Sequence, residues 1–339
     1  TGGEPLPSPV EDSVALMGLL DMLPELAVGQ VFSLNESLAR DVKNAISGYR
    51  GKLDEHAEAI VMGLDAATPG RLSIFYYREL TAEDFLGRIK RWHTTCAWLH
   101  TYRFVPDGTD DDGKQHHKRI RFIGAPALVD IIEAAYGTGV NDKLKKSGVE
   151  RLLPCIVDGA HLPSDLVNTV ARRAAQRTVL EDFEREKVLS IACALIRKAK
   201  NDANNKEGWD MALQPEVTDR SYLFGRAWAY AEAIERYALQ LAEERRDTNA
   251  ERLMTAFTRH PARSWAVLMD RLRPYESKLG ARGNALNEGM ESVIARLGIE
   301  GYTNAPLDET YLLGYACQKQ FFANERDLKK AAKEAHEEE

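Results

Sequence analysis

From about residue 127 onward the chain is an almost unbroken succession of helix signatures, and that run admits little other than a helical bundle. Apolar residues recur with helical period over 127–136, 164–178, 180–200, 218–245, 248–260, 261–274, 284–297 and 307–322, and a charged tail follows. The stretches LPS, NNKEG, RHPAR, RPYE and LGARGN punctuate them. Thr248 with Glu251 reads as a capping box, and Pro261 suits the first turn of the next helix. No self-similarity with a period of about 33–47 residues is present, so a solenoid is not indicated.

Ahead of that run the pattern is mixed. RLSIFYYREL (71–80) is β-branched and aromatic enough for a strand. Thr81, with Asp84 three residues on, caps a helix to about Trp98. HTYRFV (100–105) and HHKRIRFIG (116–124), joined by the turn-rich PDGTDDDGKQ, read as a β-hairpin. Segments 14–27 and 35–62 carry helical periodicity with weak boundaries, and 1–13 is a Gly/Pro/Ser-rich linker. The expected fold is mainly α, a C-terminal helical bundle with a preceding small α+β module containing a β-hairpin. Its expected parts are an N-terminal segment or linker (1–64), the α+β module (65–150), the bundle (151–325) and a charged tail (326–339).

Composition narrows the function classes. Net charge is −7 over 339 residues, so contact with nucleic acid has to come from local clustering of Lys and Arg. No apolar run reaches the roughly 18 residues of a membrane span, and no signal-peptide pattern opens the chain. Cys96, Cys155, Cys193 and Cys317 are widely spaced in apolar or helical contexts, as reduced thiols of a cytoplasmic protein would be. The opening TGGEPLPSPVEDS, without an initiator Met, reads as the start of a partial chain.

Motifs of catalysis are wanting. There is no G-x-x-x-x-G-K-[ST] and no HExxH, and Gly137-Thr138-Gly139 is too short for a dinucleotide fingerprint. DGTDDDG (107–113) fails as a calcium loop, because Asp112 stands at the glycine position and Lys118 at the twelfth. His93, Cys96 and His100, with His116 and His117, are the nearest approach to a metal set. A buried thiol and a hydrogen-bonded core histidine explain His93 and Cys96 more simply. Cys155 and His161 match no known triad spacing. No catalytic residue, metal or cofactor is expected.

Positive charge, in contrast, gathers. On LVNTVARRAAQRTVL (166–180), Val167, Val170, Ala171 and Ala174 form one arc, while Asn168, Thr169, Arg172, Arg173, Gln176 and Arg177 occupy the other. Such a face suits phosphate oxygens, although acids at 181–186 are an alternative set of partners. ERLMTAFTRHPARSWAVLMDRLR (251–273) holds Arg252, Arg259, Arg263, Arg271 and Arg273, and its RHPARSW turn brings Arg259, His260 and Arg263 beside Trp265. The alternative there is capping of helix carbonyls. On the hairpin, Arg119 and Arg121 share a strand face. In TDRSYLFGRAWAYAEAIERYAL (218–239), Leu223, Ala227, Tyr230, Ile234 and Ala238 form a core stripe, and Glu232–Arg236 is an i,i+4 pair. Gly225, Arg226 and Trp228 then lie off that stripe, as a second contact surface or as packing against another helix of the bundle.

Several of these stretches, taken in order, carry a resemblance. RLSIFYYREL, IGAPALVDIIEAAYG (123–137), LLPCIVDG (152–159), SIACALIRK (190–198), MALQPEVTDRSYLFGR (211–226), TNAERLMTAFTRHPARSW (248–265) and LDETYLLGY (307–315) resemble the C-terminal part of the large subunit of the type I-C CRISPR surveillance complex, Cascade (the Csd1-type large subunits). The resemblance covers roughly residues 65–322. It implies a subunit that is not itself a nuclease, sits in a CRISPR RNA–protein complex with the other Cascade subunits, and helps hold the displaced strand of target DNA. It also implies that a separate helicase-nuclease is recruited. Guide pairing then supplies sequence while protein holds backbone and shape. The DNA-backbone candidates are Arg172, Arg173, Arg177, Arg259, Arg263, Arg226, Arg119 and Arg121, and the aromatic candidates are Trp228 and Trp265. The domain that reads the protospacer-adjacent motif in such subunits is expected to be missing or incomplete, so no residue is assigned to it. In this family a small subunit can also start internally, and Met211 is the candidate start. A purely protein-binding helical scaffold is the rival reading.

Overall fold

The computed structural model describes residues 58–68, 71–109, 115–203 and 208–337. The expected linker 1–13, the expected helical segments 14–27 and 35–57, and the hairpin tip at 110–114 lie outside them. The chain forms two units, one comprising Thr1–Trp98 with Ile123–Leu166, the other Leu99–Phe122 with Val167–Glu339. It therefore passes from one to the other after residues 98, 122 and 166.

In the first unit, β1 (Glu58–Thr68) pairs antiparallel with β2 (Arg71–Thr81), Glu58 opposite Thr81 and Val61 opposite Arg78, with irregularities after Gly63 and Ala66. Glu58–Met62 were expected to end a helical segment. They are strand, with Ala59 and Val61 buried and Ile60 exposed. Gly63 leaves room for the Phe75 ring, which would stand 2.6 Å from a Cβ there and would have to turn aside to admit one. Thr81 ends β2 and caps α1 (Ala82–Thr95), its Oγ1 accepting from the Asp84 N–H at 3.1 Å, and Phe85, Ile89 and Trp92 bury one face of that helix. α2 (Leu128–Tyr136) and α3 (Asp142–Val157) follow. Gly148 of α3 lets Ile132 of α2 approach, at 2.7 Å from a would-be Cβ. At the end of α3, Asp158 accepts from the Tyr76 hydroxyl and from Arg78 Nε, both at 2.9 Å, and Arg88 donates to the carbonyl of Val157. The sheet and α1 are thereby tied to the last turn of α3.

The second unit is mainly helical, as expected. It is built from α4 (Ser164–Ala175), α5 (Asp182–Ala203), α6 (Arg220–Leu241), α7 (Asn249–Arg259), α8 (Pro261–Leu279), α9 (Asn284–Gly301) and α10 (Thr310–Glu337). The expected charged tail is the continuation of α10. The capping box forms as read: Thr248 Oγ1 accepts from the Glu251 N–H at 3.1 Å, and Glu251 accepts from the Thr248 N–H at 2.9 Å.

α6 is the axle of the unit, packing against α7, α8, α9 and α10. Every residue from Ser221 to Ala229 is buried. Of the two readings of the face carrying Gly225, Arg226 and Trp228, packing against another helix of the bundle is the one that holds, and no second contact surface is left there. At Gly225 a Cβ would lie 1.9 Å from the carbonyl oxygen of Tyr311, and at Gly314 of α10 it would lie 2.1 Å from that of Tyr222. The two helices cross backbone against backbone. Strands β3 (Trp98–Thr109) and β4 (Gln115–Gly124) make a second two-stranded sheet. In its part within this unit, His100 is fully buried, Nδ1 lying 2.9 Å from Ser190 Oγ and the ring 5.1 Å from that of Phe122.

Candidate nucleic-acid interface

The arginines that were grouped by sequence separate into two populations once their partners are known. Arg177 is 1% exposed, its Nη2 2.8 Å from Glu186 Oε1 and its Nη1 donating to the carbonyl of Arg185 at 3.3 Å. Arg173 pairs with Glu184. The acids at 181–186 are therefore the partners of both, and of the arginines of 166–180 only Arg172, whose Nη2 donates to Thr169 Oγ1 at 3.3 Å, forms no ion pair among the described residues. Arg226 is buried as well, its Nε donating to Gln318 Oε1 at 3.1 Å, and burial lowers its pKa. Arg236 pairs with Glu251 at 2.6 Å rather than with Glu232, which instead faces Lys319 at 3.2 Å and accepts from the Tyr315 hydroxyl. Arg220 holds the 301–305 segment through the carbonyls of Gly301, Thr303 and Ala305.

The two aromatic candidates also belong to the core. Trp228 is fully buried, stacked on Phe257 at 3.8 Å with its indole N–H on the carbonyl of Ala250 at 3.1 Å. Trp265 is 5% exposed, 6.2 Å from Trp228. A large ring on a helix surrounded by four others has no solvent to face. On the hairpin, Arg121 pairs with Asp327 at 3.0 Å, both largely exposed, a surface pair of small energetic weight. Arg119 is tied to Thr101 through Nε and Nη2.

Among the described residues several exposed arginines form no ion pair, and four of them, Arg172, Arg252, Arg259 and Arg263, lie on α4, α7 and the start of α8. Arg252, Thr255 and Arg259 follow one another along a single face of α7. The Thr255 hydroxyl donates to the carbonyl of Ala175 at 3.3 Å, which brings the end of α4, with Arg172 one turn back, to that same face. Beyond the His260–Pro261 corner stands Arg263, whose N–H donates to Asn304 Oδ1 at 2.9 Å. The Tyr302 hydroxyl donates to the carbonyl of Ala262 at 3.2 Å, and the Leu307 N–H to that of Thr258 at 2.9 Å. The corner is thus held by the 302–307 segment, and its guanidinium groups are not used to hold it.

Guanidinium groups without counter-ions, two of them a pair of turns apart on one face of α7, can donate to phosphate oxygens at no cost in broken ion pairs. Sequence grouping had set Arg252 among the five arginines of 251–273 without singling it out; its spacing of seven from Arg259 is the signal that places it. Arginines also line a cleft of about 890 Å³, namely Arg185, Arg236, Arg245 and Arg246, but Asp182, Glu243, Glu244 and Asp247 line it too. That cleft neutralises itself and offers a polyanion no net field.

Residues 11–323 match the model of a protein family, Cas_Csd1, described as CRISPR-associated protein. No curated protein gives a significant match.

Proposed function

Because the chain belongs to the Cas_Csd1 family of CRISPR-associated proteins, we propose that it is the non-catalytic large subunit of a type I-C RNA-guided surveillance complex in the cytoplasm. Its partners are the CRISPR RNA, the other Cascade subunits, the target DNA and a helicase-nuclease recruited afterwards. Its bundle grips the backbone of the displaced strand through Arg172, Arg259 and Arg263, with Arg252 between them. The observation that supports this most directly is that the exposed arginines Arg172, Arg252, Arg259 and Arg263 of α4, α7 and α8 form no ion pair among the described residues. A strand held there is held without regard to sequence, as a displaced strand must be while guide pairing does the reading.

Replacing Arg172, Arg259 and Arg263 together by alanine in the assembled complex tests it. Each phosphate contact removed lowers the slope of log affinity against log salt by about one. The triple variant is therefore expected to bind target DNA more weakly, with a slope shallower by about two to three. Unchanged affinity and slope reject the reading. The rival, a protein-binding scaffold, draws on the net charge of −7 and on the number of arginines already committed to acids. Crosslinks from Arg172 and Arg259 to protein neighbours alone would select it.

Met211 remains the proposed internal start. It precedes α6, so a product beginning there keeps α6–α10 entire, whereas Met254 is buried within α7. The intact mass of any short product made from the gene decides between them, and a third start retires the proposal.

A further inference from the structure

We infer that the β3–β4 hairpin and the first turn of α5 form a stacking platform for an unpaired base of single-stranded nucleic acid, separate from the arginine surface. Phe104 on β3 is 51% exposed and Phe183 on α5 is 38% exposed, yet their rings touch, with centroids 5.5 Å apart and planes 31° from parallel. Two large rings left in water forfeit the burial that would normally draw them inward. The Arg119 guanidinium lies 5.2 Å from the centre of the Phe183 ring. Its Nε and Nη2 are anchored on Thr101, so the cation is fixed in place, and among the described residues no hydrogen bond engages its Nη1. Beside them the ammonium of Lys187 lies 5.4 Å from the Tyr102 ring.

An aromatic face next to a fixed guanidinium donor matches a nucleobase, which has a π face and carbonyl or ring-nitrogen acceptors at its edge. Phosphate is the poorer fit, because Glu181 and Asp182 precede Phe183 and Asp107 follows Phe104. The platform therefore engages bases rather than backbone, and only a single strand presents them unstacked. It rests on the nucleic-acid reading above and adds a chemically different contact to it.

The test uses the full chain in its assembled complex, with fluorescein-labelled oligothymidylate as probe. Phe104→Leu with Phe183→Leu is expected to lower affinity roughly tenfold, given the worth of base–aromatic stacking. The salt slope stays unchanged because no charge is removed. Phe104→Trp with Phe183→Trp is expected to bind at least as tightly as the parent. Iodouracil placed along the displaced strand is expected to photocrosslink to Phe104 or Phe183. Parental affinity in the double Leu variant, without adducts at either ring, overturns the platform; if the arginine triple still weakens binding, the general reading survives it. A double Leu variant that binds the probe normally but loses a protein subunit overturns the platform too and makes the rings a protein contact.

Discussion

Gly225→Ala is expected to lower the thermal midpoint of the bundle by about 10 °C, although alanine is the better helix former. In an exposed helix the change would stabilise by up to about 1 kcal/mol. Here the added methyl would stand 1.9 Å from the carbonyl oxygen of Tyr311 and 2.9 Å from the amide nitrogen of Tyr315. Neither is the movable end of a side chain, so α6 and α10 must separate by more than an ångström along a seam that includes Tyr222, Tyr311 and Tyr315, all buried. Overpacking against fixed atoms costs about 3 kcal/mol or more, several times the propensity gain. For a unit of this size that corresponds to about 10 °C. Gly314→Ala should behave alike, since its methyl would meet Tyr222 from the other helix. Gly87 of α1 is the control: it has nothing within 4 Å, and Gly87→Ala should raise the midpoint slightly. Circular dichroism melts decide, and a Gly225→Ala midpoint at or above that of the parent would show the helices to be loosely apposed.

The second large effect is expected at Glu251. Its side chain is 2% exposed and receives Arg185 at 3.0 Å, Arg236 at 2.6 Å and the Thr248 N–H at 2.9 Å. Glu251→Gln keeps the shape and the capping geometry but removes the charge opposite buried Arg185. Breaking a buried pair from one side costs about 3–5 kcal/mol, and the lower end applies because Asp247 still faces Arg185 at 3.2 Å. Thr248→Ala removes the cap and spares the ion pairs, for about 1 kcal/mol. Burial alone would raise the Glu251 pKa, yet the Thr248 N–H and Arg236 bring it below its ordinary 4.5. A carboxylate depressed in this way contributes fully above pH 4.5, and its contribution is lost as pH falls through the folded-state value. The parent should therefore lose stability on acidification below that point, and Glu251→Gln should lose less. A variant with the parent's midpoint at neutral pH would mean that Arg185 does not depend on Glu251.

Local signals in the sequence were read correctly where the chemistry was local. The Thr81 cap, the Thr248–Glu251 box and Pro261 in the first turn of α8 each involve residues within a few positions of one another. β1 escaped because AIVM is apolar throughout, so the alternation that buries Ala59 and Val61 is invisible in the letters. α3 escaped because Gly148 and Pro154 look like breakers, whereas Gly148 is a packing device and Pro154 falls in the last turn. The distribution of charge was legible, but its pairing was not. Arg177 finds Glu186 across a bend, and Arg236 passes over Glu232, four residues back on its own helix, for Glu251. Which helix lies at the centre is equally a property of the assembled bundle. Arg226, Glu232 and Glu235 mark α6 as solvent-facing by composition, yet all three are buried beside polar partners supplied by other segments.

The path of the chain through its two units also sets an order of events at the ribosome. The hairpin of the second unit leaves the exit tunnel early, but its buried His100 must wait for Ser190, and Arg121 for Asp327, 206 residues later. The hairpin is therefore made some ninety residues before the helix that buries His100. Until α5 follows, the nascent polypeptide carries a strand pair whose buried side has no partner helix, and this pairing of distant segments slows the folding of the unit.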